Sequence, residues 1–118
     1  HNPASPAMLD ACDRLGMLVM DEAFDMWTRF KTPYDYAAEF PQWWAADLEA
    51  MVSKDRNHPS VIMYSIGNEI AEGGTPHGAR WARRLAALGR AGLRGGQGFL
   101  ALLGQTVQVH GQTPSPRG

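Results

Sequence analysis

Asn68 and Glu69 close the stretch "VIMYSIGNEI", residues 61–70, in which a strand-forming run meets an amide and a carboxylate. A carboxylate delivered by a strand end beside an amide can be partly desolvated. Desolvation raises a carboxyl pKa, as a general acid working near neutral pH requires. Gly67 lets the backbone leave the strand without a Cβ clash. The plainer reading is that Asn68 and Glu69 only cap the following turn. Asp21 and Glu22 form a second such pair, at the end of "MLVMD". There the capping of a loop is the stronger alternative. His1, His58, His77 and His110 have no metal-ligand spacing, so no metal is expected. His58 reads as closing a turn before Pro59, and Cys12 as a small residue on an apolar helix face. No glycine loop stands between strand and helix to hold a phosphate, and no cofactor is expected.

The elements that must carry these residues alternate. "NPASPAMLDACDRLG" reads as a helix with Ser5 as N-cap, Pro6 in the first turn and Gly16 as a left-handed stop. Met8, Leu9, Cys12 and Leu15 share one face. A wholly apolar run at about 17–21 predicts a strand covered on both faces. "AFDMWTRFKTPYDYAAEF" then has the length of a functional loop. Residues 41–56 read as a second helix, with Trp44, Leu48, Met51 and Val52 inward and Asp47, Glu49, Lys54 and Asp55 in water. A second strand follows at about 61–66, and a third helix at 77–91 carries Trp81, Leu85 and Leu88 on one side. This order implies an α/β fold with parallel strands and right-handed crossovers. In such folds the carboxyl ends of the strands carry the chemistry.

Composition bounds the reading. The 118 residues make one domain at most, and the chain begins with His1, so the natural start is expected elsewhere. There is no membrane-spanning apolar run and no visible signal peptide, which leaves localisation open. All twelve acids lie between Asp10 and Glu72, whereas residues 73–118 hold six arginines and 11 of the 13 glycines. The arginines are too sparse for a nucleic-acid-binding arm. Residues 92–118 have no convincing period and are expected to form an atypical, poorly ordered tail after a domain at 1–91.

"HNPASPAMLDACDRLGMLVMDEAFDMW", "YDY" and "WWAADLEAMVSKDRNHPSVIMYSIGNEI" closely resemble the catalytic barrel domain of glycoside hydrolase family 2, of beta-galactosidase flavour. The resemblance implies a partial (β/α)8 TIM barrel, running roughly from barrel helix 2 to barrel helix 4. It makes Glu69 the general acid/base and Asn68 the amide that binds the sugar hydroxyl next to the anomeric carbon. His1, Asp21 and Glu22 become substrate-binding residues at neighbouring strand ends. The implied partner is a carbohydrate, a beta-galactoside or similar, with beta-glucuronide and beta-mannoside as alternative specificities.

Members of this family retain anomeric configuration, and retention needs a second carboxylate about 5–5.5 Å from the first. The family supplies it from a later strand. No acid follows Glu72 here, so the chain is expected to be a fragment without activity of its own. The competing reading is a non-catalytic α/β carbohydrate-binding or interaction remnant.

Overall fold

The structure, a computed structural model, describes residues 1–93. The tail expected at 92–118 lies almost wholly outside the described residues. Helix α1 (Pro6–Leu15) opens the fold. The Ser5 hydroxyl accepts from Met8 N, Pro6 fills the first turn, and Gly16 at φ 69° ends the helix in the left-handed region. Strand β1 (Val19–Glu22) follows, and then a long loop with a 3-10 turn at Tyr36–Ala38. Helix α2 (Phe40–Asp55), strand β2 (Val61–Ser65) and helix α3 (Pro76–Gly92) complete it. Thr75 caps α3 by accepting from Gly78 N.

β1 and β2 pair in parallel, with Val19 opposite Val61, Asp21 opposite Tyr64 and Glu22 opposite Ser65. Helix α2 is the crossover between them, as the alternation of elements implied. The register slips between Val19 and Met20. Both strands therefore deliver their carboxyl ends to the same edge, which is where Glu22 and the Asn68–Glu69 pair arrive.

One face of the pair is packed. Val19, Tyr64 and Ile66 lie under α2 and α3 in a core with Leu48, Met51, Val52 and Leu85. Phe40, at the start of α2, meets Phe24 at 5.1 Å and Trp81 at 5.0 Å, both edge-on. Such pairs add about 0.5–1.5 kcal/mol beyond the area they bury. Phe24 and Trp27 belong to the loop after β1, so that loop is anchored in the core. The other face is open among the described residues: Met20 is 53% and Ile62 49% exposed. The expected cover on both faces is therefore met on one only.

Three further expectations change. Met17 and Leu18 precede β1 and are exposed. On α1 only Leu9 is fully buried, with Met8 and Leu15 out in solvent. Asp55, assigned to water, is 0% exposed.

Candidate active site

The ladder continues beyond the two strands. Ala23 N donates to Ser65 O at 3.0 Å and Asn68 N to Phe24 O at 2.8 Å. Trp27 Nε1 donates to Ile66 O at 2.9 Å in the buried interior. These bonds carry residues 66–68 and 23–27 side by side past the sheet. Gly67 is required by crowding: a Cβ there would lie 2.5 Å from Ile70 Cδ1 and 3.0 Å from Trp27 Nε1.

Polar groups converge at this end. Ser65 Oγ donates to Glu22 Oε2 at 2.6 Å, and the backbone nitrogen of His1, not its imidazole, lies 2.9 Å from Glu22 Oε1. Asp25 Oδ1 accepts from Asn68 Nδ2 at 2.8 Å and from Lys31 Nζ at 2.9 Å, with His1 Nδ1 at 3.7 Å. Lys31 Nζ also donates to Asn68 O at 2.9 Å. The Asn68 hydrogen bond, and then that of Lys31, hold the Asp25 carboxyl below the usual carboxylate range against the opposing effect of burial. An ionised Asp25 in turn fixes the orientation of the Asn68 amide.

Glu69 stands beside this cluster, exposed, with no hydrogen bond to its carboxylate among the described residues. Its φ is 45°, a left-handed conformation that a side chain with a Cβ adopts at a cost of about 1–2 kcal/mol. Strain of this kind concentrates at functional sites. The partial burial expected of Glu69 is not supplied by the described residues.

Asp21 departs from its expected place. It is 2% exposed and points to the packed side of β1, opposite in sense to Glu22. Its Oδ1 accepts from Ala4 N at 2.8 Å. It supports the segment leading from His1 and lies on the face of β1 away from Glu22, although it was expected to contact substrate. The structure thus brings His1, Glu22 and Asn68 into one network, sets Glu69 next to it, and leaves Asp21 beneath it.

Three participants went unnoticed in the sequence. Asp25 and Lys31 sit in the loop read only as having functional length. Glu72 is 3% exposed, and its Oε1 accepts from Thr28 N at 2.8 Å, Thr28 Oγ1 at 2.6 Å and Arg29 N at 2.8 Å. It therefore pins the loop that brings Asp25 and Lys31 to the site. No local signal could have found this bond, because its ends are 44 residues apart.

The histidines are also placed. His58 closes its turn with Nδ1 2.6 Å from Asp13 Oδ2, while Asp13 Oδ1 accepts from Ser60 N at 2.9 Å. Hydrogen bonding from Ser60, opposed by burial, lowers the Asp13 carboxyl pKa. Asp10 completes a group whose ligand atoms lie within 4.8 Å of one another. Exposed acids of this kind are common without an ion, and Asp13 is already engaged in joining α1 to the turn before β2.

A parallel βαβ unit with acids and an amide gathered at the carboxyl ends of its strands is consistent with a piece of an α/β barrel. The chain belongs to the glycosyl hydrolases family 2, TIM barrel domain, whose pattern matches residues 1–88. It is 58% identical over 72 residues to a beta-galactosidase of Bacteroides ovatus, a match covering 61% of this chain and 8% of that protein. A solved glycosyl hydrolase family 2 member from Bacteroides cellulosilyticus is 55% identical with a TM-score of 0.75, over 77% of this chain and 12% of that one. The beta-glucuronidase of Bifidobacterium dentium, solved with coumarin-3-O-glucuronide, is 31% identical with a TM-score of 0.57, over 78% of this chain and 15% of that one. The chain thus spans a small part of the relatives it matches.

Proposed function

We propose that these residues serve the retaining hydrolysis of O-glycosidic bonds, beta-galactosidase-like in specificity, with Glu69 as general acid/base. The observation that carries this reading is the strand-end geometry. Glu69 is held in a left-handed conformation with its carboxylate free, next to an Asn68 locked onto Asp25. Protonated, Glu69 gives its proton to the leaving-group oxygen; as a carboxylate it then takes one from water. Asn68 turns its remaining amide N–H and carbonyl to a sugar hydroxyl, and His1 and Glu22 line the same subsite. Asp25 and Lys31 hold Asn68 in place.

The nucleophilic carboxylate comes from outside these residues. Asp21 and Glu22 lie on the strand adjacent to that of Glu69, so neither stands across the sugar from it, and no acid follows Glu72. The chain by itself is therefore inactive. A beta-glucuronide is the second specificity, supported by the likeness to the Bifidobacterium dentium enzyme. A non-catalytic carbohydrate-binding role is the competing reading for the chain alone.

Glu69→Gln in the full-length protein tests the assignment. Turnover of alkyl galactosides should fall by about 10²–10⁴-fold, the usual contribution of a general acid, while activated aryl galactosides lose far less in their first step. Equal loss on both would give Glu69 another role. Nitrophenol release by the isolated chain above its Glu69→Gln control would refute the missing nucleophile.

A further inference from the structure

His77 is exposed in the first turn of α3, and two groups claim its Nε2. Trp81 Nε1 lies 3.1 Å from it, and Thr28 Oγ1 also 3.1 Å. An indole N–H can only donate, so the Trp81 contact needs a bare Nε2 that accepts. The Thr28 hydroxyl has a single hydrogen. Its Oγ1 is 2.6 Å from Glu72 Oε1, the length of an O–H donated to a carboxylate, so that hydrogen goes to Glu72. Toward His77, Oγ1 then offers only lone pairs, and this contact needs an Nε2 that carries hydrogen. Nε2 cannot be bare and protonated at once. With the ring hydrogen on Nδ1, His77 accepts from Trp81 and leaves Thr28 unmet. With a hydrogen on Nε2, it donates to Thr28 and the indole N–H loses its acceptor.

The surroundings bias this choice in both directions. The Glu72 carboxylate, reached through Thr28, favours a positive ring. Arg80, Arg83 and Arg84 line the same hollow on α3 as His77 and Trp81, and they oppose it. α3 carries no acid to answer them. On the loop side the charged neighbour of Thr28 in sequence is Arg29. α2 reaches Trp81 with the uncharged Phe40 and Trp44, edge-on at 5.0 and 5.5 Å. The Arg84 guanidinium is 5.3 Å from the Trp81 ring centroid. These contacts hold the indole in place whether or not its N–H is served.

We propose that His77 is a positioning residue for the strand-end cluster, its Nε2 serving Trp81 when the ring is neutral and Thr28 when the ring is protonated. A protonated ring carries hydrogen on both nitrogens, so it must give up Trp81. Its donation to Thr28 Oγ1 polarises the hydroxyl and strengthens the bond passed on to Glu72. Thr28 and Arg29 are the residues through which Glu72 pins the loop. Lys31 lies two residues further on and holds both Asp25 and Asn68 O. Acid therefore tightens the loop that supports Asn68, and base slackens it. The consequence for catalysis rests on the glycosidase reading, whereas the exchange of partners at Nε2 does not.

Nitrogen-15 NMR of the whole chain tests the exchange without any activity assay, run between about pH 5 and 8, where imidazoles change charge. Ring-nitrogen shifts report which atom holds the hydrogen. At the alkaline end the His77 hydrogen should be on Nδ1. On acidification the Trp81 indole N–H should shift with the midpoint of the His77 ring. Exchange of the Thr28 and Arg29 amides, corrected for the intrinsic effect of pH, should slow about five-fold, the effect of about one hydrogen bond. In His77→Ala the Trp81 and amide responses should both vanish. A neutral ring with its hydrogen on Nε2 overturns the proposal. So does an indole N–H that ignores the His77 midpoint, or an amide response that survives in His77→Ala and so belongs to Glu72. The wild-type tautomer and the shared midpoint decide the matter if that variant does not fold.

Discussion

Glu72→Gln isolates the bond that holds the loop carrying Asp25 and Lys31. Glu72 Oε1 takes three donors, two of them backbone N–H groups. Hydrogen bonds to a charged acceptor contribute about 1.5–3 kcal/mol each and neutral ones about 0.5–1.5, so losing the charge costs about 1 kcal/mol per bond. Relief of a buried charge offsets part of this. A net loss of about 2 kcal/mol is expected, large beside the 5–15 kcal/mol typical of a domain. The shape of the side chain is unchanged, so packing contributes little. Denaturant unfolding measures the global loss. Hydrogen exchange at the Thr28 and Arg29 amides measures the local one, where opening should become about thirty-fold easier. Thr28→Val keeps both backbone bonds to Glu72 and removes the hydroxyl with its contacts to Glu72 Oε1 and His77 Nε2, and should cost about half as much. A Gln variant within about 0.5 kcal/mol of wild type, with Arg29 exchange unchanged, would refute the claim that Glu72 holds the loop.

Gly78→Ala tests crowding against helix propensity. The change should gain about 1 kcal/mol inside a helix, but a Cβ there would lie 2.1 Å from the Glu72 carbonyl oxygen. Net destabilisation by thermal unfolding is expected, and stabilisation would contradict the packing of α3 on Glu72. Stability should also depend on pH through Asp21, whose carboxyl rises from 3.8 to about 7 on folding. A raised carboxyl pKa favours the folded state fully below about 3.8 and progressively less as the pH climbs to about 7. The slope for a single proton is at most about 1.4 kcal/mol per pH unit. Asp21→Asn should flatten the unfolding free energy across that window, and an unchanged slope would assign it to other groups.

The helix caps, the parallel pairing and the Asn68–Glu69 strand end were legible because each rests on neighbours in sequence. Ser5, Pro6 and Gly16 mark α1 by local backbone chemistry alone. Asp55 was misplaced for an instructive reason. It falls at i+7 from Leu48 and i+4 from Met51, so the helical period already put it on the buried stripe. Its charge argued for water, and the period won because the Lys54 ammonium reaches its Oδ1. Met20 and Ile62 read as doubly covered strand residues, yet a two-stranded sheet offers helices to one face only. Asp25, Lys31 and Glu72 were invisible because their partners lie far away in the chain.

That distance has a kinetic meaning. The Glu22–Ser65 and Asp25–Asn68 bonds each span 43 residues, and Thr28–Glu72 spans 44. All three close the same loop, whose entropic cost grows only as about (3/2)RT ln n and is incurred once. None can form before α2 has folded back and β2 has docked on β1. The strand-end cluster should therefore appear in one late step of folding, and a local opening that releases β2 should dissolve it as a unit.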